Sequence, residues 1–240
     1  MVIILSLATV VSTLFGGLFA LKFKDKLHLI LGFSAGAVIG VAFFDLLPEA
    51  LELSQTSFKT STVTTIVACG FFFFMILDRL VLLYAHRDEQ DEHHHHHRGT
   101  LGASSLSFHS FLDGAAIGLA FKVSVSVGLV VAVAVLVHDF SDGINTVNLI
   151  LKNNGSHKRA LRWLLVDATT PALGALSTLL FTVSQATLGI ILAIFSGFFL
   201  YIGASDLLPE SFHNHPSRLT TITTLLGAAV LFTAIKIASF

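Results

Sequence analysis

His109 and Asp113 lie four positions apart in HSFLDGAAIG (109–118), and His138 and Asp142 repeat that spacing in VLVHDFSDGINTV (135–147). On a helix, residues i and i+4 share a face, and Asp139 sits on the same face three residues before Asp142. Both stretches are otherwise apolar. A carboxylate at the centre of a bilayer costs roughly 2.5–3.5 kcal/mol even on lenient insertion scales, so these acids must be paired, hydrated or bound to a cation. Two such helices packed face to face gather two imidazoles and three carboxylates around one cavity. Imidazole nitrogen with carboxylate oxygen suits borderline divalent metals: Zn²⁺, Fe²⁺, Mn²⁺, Co²⁺ or Cd²⁺. Ca²⁺ and Mg²⁺ favour all-oxygen cages, and the lack of thiolate or thioether nearby argues against Cu(I). Gly114 and Gly143, each directly after an acid of the pair, let the two backbones approach neighbouring helices closely.

The elements that must hold these residues are readable from composition. Of 240 residues, 54% are hydrophobic and only 12% charged, too few charges to cover a soluble domain. Apolar runs recur along the whole chain, each near the ~20 residues that cross the hydrocarbon of a bilayer as a helix. We expect an all-α membrane protein with eight spans, near 2–21, 29–53, 60–84, 101–121, 124–151, 161–182, 186–209 and 219–239. They form a single transmembrane domain, 1–240, interrupted by a loop at 86–98. The runs lack the period-2 alternation of membrane strands. The first run has no basic residues before it and reads as a retained span rather than a signal peptide. A single cysteine, Cys69, excludes an internal disulfide framework and a Cys-rich zinc module.

With the N-terminus outside, eleven Lys and Arg fall on the inner side and three on the outer, so both termini are expected on the extracytoplasmic side. DLLPEALELS (45–54) closes the second span and DLLPESFHNH (206–215) the seventh, toward opposite faces. An inverted repeat relating spans 1–3 to spans 6–8, with spans 4 and 5 at its centre, accounts for that pairing. Asp45, Glu49 and Glu52 then form an acidic mouth on the outer side, where a negative field gathers cations. Asp206 and Glu210 form its inner counterpart, and Asn145 and Asn148 extend the polar stripe of the fifth span inward. Asp167, in LLVDATTPALGAL, has no partner evident in the sequence, and two readings stand: it pairs with Thr169 or Thr170, or it lines the pathway. The run His93, His94, His95, His96 and His97 in HRDEQDEHHHHHR is a transient metal-binding segment or an inert solvated loop.

The paired motif HSFLDG and HDFSDG resembles the fourth- and fifth-span signatures of the ZIP (Zrt/Irt-like) family of divalent metal transporters. The resemblance extends to the eight spans, the His-rich loop between spans 3 and 4, and the LLPE ends of spans 2 and 7. It implies that His109, Asp113 and Asp142 bind the transported metal. Ser110 and Asp139 would complete a neighbouring second site, and His138, at a variable position, would join the first. Ser110 stands where many members have Asn, Leu112 and Ser141 where Pro is common, and both acids are Asp where Glu is frequent. The resemblance also implies movement of metal toward the cytoplasm.

The expected activity is therefore transport and not an enzymatic reaction, with Zn²⁺ or another divalent transition metal as the substrate. Alternating access would move spans 2, 4, 5 and 7 against spans 1, 3, 6 and 8. The expected partners are divalent metal ions and the lipid bilayer of a plasma or inner membrane; nucleic acid is not among them, and a homodimer is left open. Two alternatives remain at this stage. A cation-diffusion-type exporter also uses His and Asp one turn apart, but with six spans and a soluble domain. An intramembrane metal-dependent hydrolase needs a site open to one face and a general base.

Overall fold

A computed structural model describes residues 2–22, 27–86, 95–180, 182–213 and 218–238. All regular structure among them is helical. The order is α1 (Val2–Lys22), α2 (Leu27–Val41), a π-helical segment (Ala42–Leu46), α3 (Leu47–Ser54), α4 (Thr60–His86), α5 (His95–Val123) and α6 (Val125–Lys152). There follow α7 (His157–Ser177) with a 3₁₀ turn (Thr178–Leu180), α8 (Gln185–Tyr201), a second π-helical segment (Ile202–Leu207), α9 (Leu208–His213) and α10 (Arg218–Ala238).

The ends have local causes. Ser124 is the one residue between α5 and α6, and its Oγ accepts the Val127 N–H at 3.1 Å, capping α6. This tight link folds α5 and α6 into an antiparallel pair. At the far end of α6, Asn154 adopts φ 58°, and Gly155 N–H donates to the Ile150 carbonyl at 2.9 Å. That left-handed stop is the helix-ending motif that Asn-Gly favours. Ser156 and Ser184 cap α7 and α8 by accepting the N–H of Arg159 and Thr187.

Each π-helical segment directly precedes LPE, the repeated tail of the sequence motif. Proline has no N–H for the carbonyl one turn back and its ring crowds that turn, which loosens the hydrogen-bond ladder upstream. In the first segment, Ser196 Oγ on α8 donates to the Ala42 carbonyl at 3.2 Å.

Seven helical stretches among the described residues are long and apolar enough to cross a membrane. The exception is α5, which is 29 residues long but carries His, Ser, Asp and Arg. It begins at His95, so residues 95–98, expected in a loop, lie on a helix; residues 87–94 of that loop are outside the described residues. An apolar 18-residue run within the stretch containing α6 is 72% buried, and those within the stretches containing α2 and α8 are 67% buried, whereas those of α4 and α10 are 17% buried. Three of the strongly buried helices thus form an inner layer with α5, and α1, α4, α7 and α10 clothe them. The outer helices turn Leu7, Phe15, Phe72, Phe73, Leu225 and Leu226 outward, a surface fit for hydrocarbon. Cys69 is exposed on the same surface of α4.

Glycine sets which inner helix meets which outer one. A Cβ on Gly143 of α6 would strike the Thr13 carbonyl oxygen of α1, and one on Gly16 of α1 would strike the Phe140 carbonyl oxygen. The same reciprocal contact joins α5 to α7, through Gly114 with Pro171 and Gly174 with Phe111. It recurs between α2 and α10 through Gly36 and Gly227, and between α4 and α8 through Gly70 and Gly197. Backbones this close exclude every side chain from the contact.

Candidate metal centre

The antiparallel packing of α5 on α6 brings the two His/Asp turns together. One ligand atom each from His109, Asp113, His138 and Asp142 lies within 4.8 Å of all the others. His109 Nε2 is 3.1 Å from Asp113 Oδ2 and 3.5 Å from Asp142 Oδ2. His138 Nε2 is 3.3 Å from Asp113 Oδ2 and 4.0 Å from Asp142 Oδ2. Four ligands at about 2.1 Å from a tetrahedral zinc ion stand about 3.4 Å apart, so these separations bracket the coordination geometry. None of these close approaches has hydrogen-bond geometry: His109 Nε2, His138 Nε2, both Asp113 oxygens and Asp142 Oδ2 are buried without a hydrogen-bond partner. Buried polar atoms left unmatched in this way need a common ion or protons to share.

The ring of His138 is oriented from behind. Its Nδ1–H donates to the Ala134 carbonyl at 2.9 Å, which leaves the lone pair on Nε2, facing the cluster. The ring is fully buried, against Phe199. His109 packs against Phe198 with ring centroids 5.0 Å apart, and its side chain keeps 12% exposure where Asp113 and His138 keep none. The exposure gives onto a cleft of about 70 Å³ between α4, α5 and α8, lined among others by Asp78, Ser105 and Tyr201. Tyr201 Oη donates to Asp78 Oδ2 at 2.7 Å across that cleft.

The remaining expected residues are distributed as follows. Asp139 is fully buried on α6, and neither of its carboxylate oxygens has a hydrogen-bond partner; it is not one of the four converging residues. Ser110 is buried and its Oγ donates to Asp167 Oδ1 at 2.8 Å. Asn145 and Asn148 are half-buried farther along α6 and do not line that cleft. Asp45 is buried in the first π-helical segment with Oδ2 lacking a hydrogen-bond partner, Glu49 is half-buried and Glu52 exposed. Asp206 lies in the second π-helical segment and Glu210 in α9, half-buried. His93 and His94 lie outside the described residues; His95, His96 and His97 open α5. For Asp167 the pairing with Thr169 or Thr170 is corrected. Its carboxylate is held by Ser110 and by Thr146, whose Oγ1 donates to Oδ2 at 2.9 Å, while Thr170 reaches only its main-chain carbonyl. Thr146 was missed by the sequence reading, although its place one turn after Asp142 was an available signal; Asp78 and Tyr201 carry no such signal.

The family model of the ZIP zinc transporters matches residues 1–105 and 98–234. The chain belongs to the ZIP zinc transporter family. Its curated relatives include mouse (Mus musculus) zinc transporter ZIP4, 36% identical over 110 residues, 46% of this chain and 17% of that protein. Zebrafish (Danio rerio) zinc transporter ZIP10 is 32% identical over 106 residues, 44% of this chain and 12% of that protein. Zinc transporter foi of Drosophila melanogaster is 29% identical over 119 residues, 50% of this chain and 17% of that protein. The matched stretches thus span less than a fifth of the length of these relatives. ZIP membership and the seven apolar helices together make the chain a multi-pass integral membrane protein.

Proposed function

We propose that this ZIP-family chain carries divalent transition-metal ions across the membrane, with zinc as the preferred substrate, and binds each ion between α5 and α6. The observation that carries the reading is the convergence of four buried ligand atoms, none hydrogen-bonded, at coordination spacing. Two neutral imidazoles and two carboxylates balance a doubly charged ion, which makes the loaded site electrically neutral inside a low-dielectric bundle.

In the proposed route, an ion arrives past Asp45 and Glu49, is held by His109, Asp113, His138 and Asp142, and leaves toward Asn145 and Asn148. The two terminal repeats support an eight-span reading with α5 as the eighth span. LPE follows a π-helical segment in both, and the reciprocal glycine contacts occur as the related pairs α1–α6 with α7–α5, and α2–α10 with α8–α4. Both termini outside and inward movement of metal belong to the same reading.

Those contacts also redraw the moving parts. A division into spans 2, 4, 5 and 7 against 1, 3, 6 and 8 would require all four glycine-interlocked pairs to slide at once, and close-packed backbones resist that. Grouping α1, α5, α6 and α7 against α2, α4, α8 and α10 leaves every interlocked pair inside one body. Ala20, Ala103, Ile144, Ile150, Ala160 and Leu164 form a separate apolar core within the first of these. The metal site, carried wholly by α5 and α6, would travel with it.

The test is uptake into liposomes followed with a lumenal indicator for Zn²⁺, Cd²⁺, Mn²⁺ and Fe²⁺, comparing wild type with Asp142→Ala and His138→Ala. We expect Zn²⁺ uptake to fall to background in Asp142→Ala and its apparent affinity to fall at least tenfold in His138→Ala. Uptake unaffected by either substitution removes the site from the mechanism. Detection of His109-dependent ester or amide turnover would favour the hydrolase instead.

A further inference from the structure

The two bodies drawn by the glycine contacts meet where α2 packs on α6, and there Ser34 reaches from one to the other. Its Oγ donates to the Val137 carbonyl of α6 at 3.1 Å and lies 2.8 Å from Ser141 Oγ, one turn farther along. Both serines are fully buried. A hydroxyl has one proton to give. With the Ser34 proton on the Val137 carbonyl, Ser141 donates to Ser34 Oγ, and both contacts are satisfied at once. By contrast, the bonds of Ser12 to Leu136 and of Ser110 and Thr146 to Asp167 stay within the first body. Those of Ser196 to Ala42 and of Tyr201 to Asp78 stay within the second.

Helix geometry gives the direction. Ser34 stands two residues before Gly36, which meets α10, and Ser141 two before Gly143, which meets α1. Two residues turn an α-helix by about 200°, so each hydroxyl points away from its own helix's interlocked partner and toward the other body. Val137 and Ser141 directly precede the ligands His138 and Asp142, so the contact falls on the turn of α6 that carries them. We propose that Ser34 is a latch: its hydrogen bonds to Val137 and Ser141 hold the two bodies in the arrangement of the structure, and they must break for the site on α5 and α6 to move past α2. This rests on the proposed transport and its division into two bodies. Buried hydroxyls have no water to replace a lost partner, so the bonds oppose sliding. They are neutral, and so weak enough to open; a carboxylate in the place of either serine would hold harder. Proline, common at position 141 among family members, has no hydroxyl, which makes this pair a property of the chain and not of the signature.

Two measurements test this. In the first, Ser34→Cys and Ser141→Cys are combined in a Cys69→Ser background, and Zn²⁺ uptake into liposomes is compared after oxidation with diamide and after reduction. Oxygens 2.8 Å apart stand close to where two sulfurs would bond. The oxidised protein is expected to lose uptake and to regain it on reduction. In the second, spin labels on the native Cys69 of α4 and on Leu165→Cys of α7, both exposed, report how far the two bodies have moved past each other. Without metal, wild type is expected to show one main distance. Ser34→Ala, which removes both bonds, should raise the population at other distances about tenfold, and Ser141→Ala, which removes one, about threefold. Adding Ser141→Ala to Ser34→Ala should change nothing further, since the two act through one contact.

Oxidised protein that takes up Zn²⁺ as fast as reduced protein overturns the latch together with the two-body division, and leaves the metal site standing. Uptake blocked by oxidation, with distance populations in Ser34→Ala equal to those of wild type, overturns the latch alone: the bodies slide, but these hydroxyls do not hold them. Should Ser34→Ala fail to fold, Ser141→Ala carries the second measurement, and an unchanged population there has the same meaning. Wild-type protein that takes up no metal removes the transport reading itself, and the latch with it.

Discussion

Asp113→Ala abolishes the thermal stabilisation that Zn²⁺ gives the purified protein, while leaving the metal-free protein folded. The expectation comes from its place in the cluster. Its Oδ2 is the nearer carboxylate oxygen to both imidazoles, at 3.1 and 3.3 Å, and the side chain is fully buried. Without it, an ion meets two imidazoles and one carboxylate and keeps an uncompensated positive charge in a dry interior. Removing an outer partner of a metal ligand already costs 10–100-fold in affinity, so loss of this ligand should cost at least about a hundredfold.

Zinc at a hundred times its dissociation constant stabilises the folded state by about 2.7 kcal/mol. At about 2–4 °C per kcal/mol for a chain of this size, that is a rise of roughly 5–10 °C in wild type, with His93 to His97 changed to Ser, and close to none in Asp113→Ala. The metal-free variant should melt no lower than metal-free wild type, because a buried carboxylate without hydrogen bonds is itself a cost. A full zinc-induced rise in Asp113→Ala would place the ion elsewhere; a variant that does not fold without metal would make Asp113 structural.

The second large effect is one of packing. Gly143→Ala inserts a methyl group into the Thr13 carbonyl oxygen of α1, and Gly114→Ala does the same to Pro171 of α7. Neither obstacle is a flexible side-chain end, so two helices must separate. Overpacking of this kind costs about 3 kcal/mol or more, set against a total stability of roughly 5–15 kcal/mol. Gly40→Ala is the matched control, since its added carbon would have Ala228 Cα as nearest neighbour at 3.3 Å, a contact a small shift relieves. Thermal melts should show both former variants well below Gly40→Ala, by about 6 °C or more. Equal melting of all three would mean that these helices do not pack as described.

The helices and the core of the site were legible because both depend on spacing along one element. Apolar runs marked the rods to within a few residues, and the i, i+4 repeats put His109 with Asp113 and His138 with Asp142 before any contact was seen. The start of α5 was missed by six residues because a His-rich run has no apolar period to announce a helix. What spacing does not encode is which side chains meet across helices. Asp167 lies 57 residues from Ser110 and 21 from Thr146, so the sequence made no partner evident, and the neighbouring threonines, one of the two options it left, do not hold the carboxylate. The same limit applies to Asp78 and Tyr201, 123 residues apart and joined only because α4 packs on α8. Ser110 shows the converse: its position was picked out, but its hydroxyl proton goes to a carboxylate that no local pattern names.

The π-helical segment Ala42–Leu46 has a consequence for register. A π turn holds one residue more than an α turn, so it acts as a one-residue insertion that the helix absorbs without breaking. Everything after it is rotated about the axis by about 100° relative to an uninterrupted α-helix, one residue's worth of turn. Deleting Phe43, whose side chain is exposed, would let the ladder close as plain α-helix and carry Leu27–Val41 out of phase with Pro48 and the acids after it. The buried Asp45 owes its inward direction to that extra residue as much as to its own identity, so the length of this turn sets the bearing of that side chain.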